Sequence, residues 1–384
     1  MRIAMLSPYS LSRPGGVQGQ VLGLSRALQA MGHDVTVLGP DDELSELSQA
    51  WELAGLTGPS GPAGPDASPD VFVVGSPRGV RSNGSVAPVT ISPLAAARAE
   101  RFVRRGEFDV VHLHEPFAPL APYWIVLHSS LPMVGTFHRA GVSRWVPFLK
   151  PLAKFAGARM QVRVAVSEAA RQTGISSCGG QFEVLFNGVD MERFSRVEPV
   201  RDPEGRPVVL FLGRHEARKG LNVLLDAFAM VERPAVLWVA GGGPGGEVQR
   251  RRHPESDRVH WLGMLSDDEV SARLAGADVL CAPSLRGESF GMVVLEGMAA
   301  RCAVVASDLD GYAAAAGGHA ALVPPGDVGA LARALGVALA DVVEGGGQSS
   351  VDALKAAEVY AERWSMDALA ARYVELYERA IALC

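Results

Sequence analysis

Four cysteines in 384 residues, Cys178, Cys281, Cys302 and Cys384, are too few and too scattered for a disulfide framework or a zinc site. Reduced thiols in a cytoplasmic protein are the expectation. No apolar run approaches the eighteen or more residues of a spanning helix, and the N-terminus reads as a strand rather than a cleaved leader. The first strand is not followed by G-x-G-x-x-G, so a nicotinamide-binding reading is weak. With 20% charged and 48% hydrophobic residues the chain is not a disordered polyelectrolyte, and a net charge of −6 supplies no basic footprint for nucleic acid.

What is present is enough chain for two domains of ordinary size. Charge divides unevenly between them: residues 1–188 hold 16 basic and 14 acidic residues, residues 189–384 hold 20 and 28. The most informative stretch is Arg286 to Gly297. An apolar strand, Asp278 to Ala282, ends at Pro283, and good helix formers run on from Met292. Ser289-Phe290-Gly291 therefore stands at a helix N-terminus, where free N–H groups and the positive dipole end attract an anion such as a phosphate. Glu288 precedes this cradle, placed to reach what the phosphate carries. Glu296 lies more than one turn inside the helix, placed to accept both hydroxyls of a ribose. Together the set suits a sugar nucleotide, although a solvated helix face also produces such glutamate pairs.

The first half opens with Arg2 to Leu6 as a strand, a turn-rich loop ending in Gly15-Gly16, a helix from Val17 and a second strand at Asp34 to Leu38. Glycines at that helix start let backbone approach a bulky ligand. Thr57 to Pro65 has no periodicity and reads as a surface excursion, and Arg81 to Val86 as a ligand-facing loop. Leu94 to Arg105 is expected as a helix with Arg98, Arg101 and Arg105 on one face and Arg104 beside them, suited to anionic lipid headgroups or simply to water. His112 and His114 share one side of a strand without a third metal ligand at zinc spacing, so a structural or supporting role is expected. His138 and Arg139 end the strand Met133 to Phe137, where ligands of parallel sheets collect. Phe182 to Phe186 is expected as the last strand of this half and Arg196 to Pro207 as the linker.

In the second half, the strand Pro207 to Leu212 runs into Gly213-Arg214 and Arg218-Lys219-Gly220 before a helix, placing cations where a diphosphate is usually held. Strands at Ala235 to Ala240, Val259 to Gly263 and Ala303 to Ser307 alternate with helices, which predicts a second doubly wound sheet. Gly241 to Gly246 is a loop where backbone can approach a nucleoside. The chain ends helically, with Trp364 to Leu383 expected to cross back over the first domain.

These residues resemble the retaining glycosyltransferases of family 4, with the E-x7-E signature in Glu288 and Glu296. Over nearly the whole chain the motifs are similar to those of actinobacterial phosphatidylinositol mannosyltransferases. They are Pro8-Tyr9-Ser10, Pro14-Gly15-Gly16-Val17-Gln18, Asn83-Gly84-Ser85-Val86, His112 to Pro116, Thr136-Phe137-His138, Gly213-Arg214 with Arg218-Lys219-Gly220, and Gly287 to Glu296. The resemblance implies an α/β protein of GT-B fold, two Rossmann-like doubly wound parallel-sheet domains facing across a cleft. The domains implied are 1–188 and 189–365, with a helix at about 366–384 returning to the first. It further implies that Arg214 and Lys219 hold the donor diphosphate with Gly15, Gly16, Ser289, Phe290 and Gly291, and that Glu296 holds the ribose. Glu288 and His138 would work at the donor sugar, and Tyr9, Gln18, Asn83 and Arg139 would face the acceptor. Arg98, Arg101, Arg104 and Arg105 would meet the membrane. Two stretches depart from those mannosyltransferases, both on the acceptor side. Leu11-Ser12-Arg13 lacks an acidic residue, and Arg139-Ala140-Gly141-Val142 replaces a hydroxyl-rich run ending in lysine.

The expected reaction is transfer of a hexose with retention, from GDP-mannose to a lipid-linked polyol such as phosphatidylinositol. It would occur on the cytoplasmic face of the membrane, by same-face attack assisted by the departing phosphate. No cofactor is expected and metal should be dispensable, because cations already neutralise the diphosphate. A family member that uses a GDP- or UDP-sugar on a small soluble acceptor stays open, as does a non-catalytic sugar-nucleotide-binding module. The sequence leaves oligomeric state unassigned.

Overall fold

The computed structural model describes residues 1–11, 15–41, 70–82, 85–118, 120–139, 146–288, 290–345, 347 and 350–384. They form two compact units, Met1–Gly188 with Met366–Cys384, and Val189–Ser365.

Short runs of valine, leucine and isoleucine are strand formers that cannot be left wet on either face, and a parallel sheet between helices satisfies them. In the first unit β1 (Arg2–Leu6), β2 (Asp34–Pro40), β3 (Asp70–Gly75), β6 (Val110–His114), β7 (Met133–Phe137), β8 (Val162–Ala165) and β9 (Glu183–Val184) form one sheet. Its order is β3-β2-β1-β6-β7-β8-β9, and every described pairing is parallel. A separate antiparallel hairpin joins β4 (Arg78–Ser82) to β5 (Ser85–Val89). Alternation divides β1 between two cores: Ala4 and Leu6 pack on one face of the sheet. Ile3 and Met5 pack on the other with Val21, Leu24 and Leu28 of the Gly16–Ala30 helix and Leu369, Tyr373, Leu376 and Tyr377 of the Met366–Ala382 helix.

The second unit repeats the plan with β10 (Val208–Leu212), β11 (Val236–Ala240), β12 (Val259–Gly263), β13 (Val279–Ala282), β14 (Ala303–Ser307) and β15 (Ala320–Val323). The order β12-β11-β10-β13-β14-β15 is again parallel throughout. In each sheet the first strand has neighbours reached in opposite directions, so the winding reverses between β1 and β6 and between β10 and β13. Loops leaving the carboxyl ends of those strands diverge and open a crevice there. Both units are Rossmann-like, as the alternating pattern required.

Three boundaries differ from the sequence reading. The segment 196–207 is no linker but part of the second unit: the Val200 N–H donates to Ala272 O at 3.0 Å, and Asp202 collects the Arg206 guanidinium at 3.0 Å. Polar, proline-bearing composition hid these local bonds. The last strand of the first sheet keeps only Glu183 and Val184, because an edge strand has a single neighbour to hold it. Trp364 precedes the last helix instead of opening it; its carbonyl accepts the Val189 N–H at 2.7 Å within the second unit. Among the described residues no helix is long and apolar enough to cross a membrane.

Candidate active site

The crevice between β10 and β13 gathers a connected polar cluster. From the β10 side come Arg214 and the short 3-10 turn Ala217–Lys219, ended by Gly220 at φ +69°. A Cβ at Gly220 would overlap the Pro283 carbonyl, so only glycine lets the two loops meet. From the β13 side comes Glu288, on whose backbone carbonyl Gly311 packs closely. One oxygen of Glu288, Oε1, accepts from Lys219 Nζ at 2.7 Å, Arg218 Nη1 at 3.1 Å and Ser284 Oγ at 3.0 Å. Ser284 is bonded in turn to the Tyr312 hydroxyl at 2.8 Å. Since Ser284 donates to the carboxylate, Tyr312 donates to Ser284. Burial, then the Glu288 charge, raises the Tyr312 pKa, which keeps that phenol a neutral donor. Glu216 holds the remaining cations in register, pairing with Arg218 at 2.9 Å and with the half-exposed Arg214 at 3.1 Å.

Beyond Glu288 the backbone turns through Gly291, whose φ of +86° and contact with the Tyr312 ring leave no room for a side chain. The eight-residue helix Met292–Ala299 begins there, so its positive dipole end follows directly on the loop that carries Glu288. Phe290 is buried with its ring edge-on to Trp364, so a ligand can meet only its backbone. Ser289 lies outside the described residues. Glu296 is partly buried and pairs with Arg193 at 3.4 Å. Arg218, Ser284, Tyr312, Glu216 and Arg193 were not singled out as site residues from sequence. Arg218 lay in the run already marked, whereas nothing local flags Tyr312 or Arg193.

In the first unit the β1–β6 crevice carries Tyr9, Glu115, His138 and Arg139. Glu115 is buried at φ +49°, a strained backbone for a non-glycine residue, and its Oε1 accepts the His138 backbone N–H at 2.6 Å. Burial raises the Glu115 pKa, while the N–H groups and the Arg139 guanidinium oppose that rise. Tyr9 is raised as well, by burial first and by Glu115 second. His138 Nε2 is bonded to His114 Nδ1 at 2.8 Å with the rings stacked, and burial lowers the His138 pKa to about 3. The pair is therefore neutral near pH 7, and one proton sits between the two nitrogens. His112 is buried too, lowered to about 3, and joins Tyr377 OH and Thr136 Oγ1, both at 2.8 Å. The two strand histidines thus have structural partners. Gly15 caps the Gly16–Ala30 helix, and Gln18 folds back over it to donate to Ser10 O at 3.2 Å. Asn83 and Pro14 lie outside the described residues.

The basic helix spans Pro93–Arg105, capped by Ser92 and buried on Ala95, Ala96, Ala99 and Val103. Arg101, Arg104 and Arg105 are exposed, with Arg104 paired to Glu100 at 3.0 Å. Arg98 differs from the expected open face: its guanidinium lies over the Phe72 ring at 5.1 Å, where it is worth more than in water. Among the described residues no group of three or more His, Cys, Asp or Glu side chains is placed to hold a metal ion.

Two family models match the chain, Glycosyltransferase Family 4 over residues 14–193 and Glycosyl transferases group 1 over 206–341. The chain is 36% identical over 355 residues to the phosphatidyl-myo-inositol mannosyltransferase of Mycobacterium leprae, covering 87% of this chain and 86% of that protein. It is 31% identical to the MMP alpha-(1->4)-mannosyltransferase of Mycolicibacterium hassiacum, over 100% of this chain and 99% of the relative. Among solved structures, sucrose-phosphate synthase from Thermosynechococcus elongatus matches over all of both chains with a TM-score of 0.75 at 19% identity. Anabaena HepE, solved with UDP and glucose, matches 98% of this chain and 99% of its own with a TM-score of 0.70 at 19% identity.

Proposed function

Because this chain belongs to the family 4 glycosyltransferases and is a glycosyltransferase, we propose that it moves mannose from GDP-mannose, with retention, onto phosphatidylinositol or a similar lipid-linked polyol. The observation that carries the reading is the convergence of Lys219 and Arg218 on Glu288 where the winding of the second sheet reverses. That crevice offers cations, an anion-attracting helix start at Gly291 and a ribose carboxylate at Glu296, the set that a nucleoside diphosphate needs.

In this reading the arriving diphosphate takes over the N–H donors of Lys219 and Arg218 and frees Glu288 to orient the sugar. Arg214 closes on the phosphate from solvent. As the glycosidic C–O bond breaks, negative charge grows on the leaving phosphate oxygen, and the same cations stabilise it. The acceptor hydroxyl attacks from the leaving-group face and passes its proton to that departing phosphate. Three cations already offset the diphosphate charge, so the step is proposed without a metal. The first unit supplies the acceptor groups Tyr9, Gln18 and Arg139, along with neutral His138. Gly15 and Gly16 keep side chains clear at its helix start. Arg101, Arg104 and Arg105 are the cations for an anionic lipid surface.

A second reading has two observations of its own. The relative that the chain matches end to end is named for transfer to a different acceptor, and Arg98 is engaged with Phe72 instead of standing open. On that reading the acceptor is a small soluble molecule. Labelled GDP-mannose offered with phosphatidylinositol vesicles and, separately, with a panel of soluble sugars distinguishes the two. Lipid transfer that falls about tenfold or more in an Arg101→Glu/Arg104→Glu/Arg105→Glu protein supports the first. Transfer confined to soluble sugars and indifferent to those charges replaces it.

A further inference from the structure

The second unit begins with Val189, and its first few residues reach the nucleotide site. Asp190 Oδ1 accepts the backbone N–H groups of Glu192 at 3.1 Å and Arg193 at 3.2 Å, fixing the single 3-10 turn Glu192–Phe194. Phe194 is buried, and the Arg193 guanidinium lies over its ring at 4.6 Å. Held in this way, Arg193 puts Nη2 3.4 Å from Glu296 Oε1. Among the described residues this is the ion pair that Glu296 makes.

Two facts bear on what Arg193 does there. Its Nε and Nη2 are buried from water yet make no hydrogen bond, the 3.4 Å approach being an ion pair without bonding geometry. Buried N–H groups left unpaired are costly and uncommon, so Arg193 is kept beside the Glu296 carboxylate against a penalty. The second fact is electrostatic. Glu296 sits on the helix that starts the diphosphate cradle, and an unneutralised carboxylate there would repel the ligand's phosphates.

We propose that Arg193 is a positioning residue of the nucleotide site: its guanidinium, held by the Glu192–Phe194 turn, orients Glu296 toward the two ribose hydroxyls. This rests on the reading of Glu296 as the ribose carboxylate. Arg193 offsets the Glu296 charge, so that the carboxylate accepts from the sugar without driving off the diphosphate. Lysine, a point charge without the planar fork, would restore the neutralisation and lose the directed donors.

The test is calorimetric titration of the full chain with GDP and with 2′,3′-dideoxy-GDP, and with the corresponding UDP pair. The wild-type protein is expected to favour the ribose form of whichever nucleotide binds by about tenfold or more. Arg193→Ala should erase most of that preference and weaken the dideoxy form by only a few-fold, through the Glu296 charge left unneutralised, and Arg193→Lys should restore the dideoxy affinity and recover part of the preference. An Arg193→Ala protein that still discriminates as the wild type does overturns the proposal. So does equal loss of both nucleotides, which would make Arg193 merely structural. If the wild-type chain binds nucleotide without preferring ribose, the role of Glu296 falls and this inference with it. If no nucleotide binds at all, the proposed function fails first.

Discussion

At the scale of single residues, Glu288 is the most informative group, because it occupies donors that a diphosphate would need. Lys219, Arg218 and Ser284 all bond its Oε1. A competitor built into the site predicts opposite effects on binding and on turnover. Glu288→Gln keeps the shape and removes the charge, so GDP should bind at least as tightly as to the wild type. Transfer should meanwhile drop by about 10²–10³, the usual cost of losing one charged contact to the reacting group. Titration calorimetry beside a transfer assay reads both, and GDP affinity that falls together with turnover would sink this account of Glu288. The sequence showed which residue types stood where: two carboxylates, a cation pair and glycines at strand ends. It did not show pairing. Glu288 meets Lys219 across 69 residues, and no pattern local to either announces the contact.

At the scale of elements, strands and helices were legible because buried parallel strands are short continuous apolar runs and helices begin at glycine, serine or proline signals. Ends were less so. β9 shortened to two residues, and the last helix starts at Met366 because Trp364 belongs to the other unit. What the last helix does was hidden too. Its tyrosines enter the first sheet's polar interior: Tyr377 bonds His112, and Tyr373 bonds Thr136 at 2.8 Å. The first of these contacts spans 265 positions. Tyr377→Phe keeps the ring packing and leaves a buried imidazole nitrogen unpaired, which should cost about 1–3 kcal/mol of stability. Urea unfolding followed by circular dichroism measures it, and an unchanged midpoint would mean that the bond contributes nothing.

For the whole molecule, the three buried histidines of the first unit set its tolerance of acid. Burial lowers His112 and His138 from the ordinary 6.5 to about 3 and lowers His114 strongly as well. Between those limits the unfolded chain takes up protons that the folded one refuses, so folding is favoured fully above about 6.5 and loses ground as the pH falls. Each such histidine contributes a slope of up to about 1.4 kcal/mol per pH unit. Urea midpoints at pH 7, 6 and 5 should therefore step downward before carboxylates begin to titrate. Equal midpoints would show that these side chains are not buried neutral. The two-unit plan was readable as alternating pattern repeated over enough chain, but the linker was misread, because short-range bonds such as Asp202 with Arg206 do not change composition. One consequence follows from the first unit being made of two separate stretches. A ribosome delivers residues 1–188 before the second unit and residues 366–384 only after it. Until that stretch emerges, Val110, Val134, Val162 and Val164 lack the helix that covers them. The nascent sheet must wait with an oily flank bare, so chaperone engagement and misassembly would concentrate there during translation.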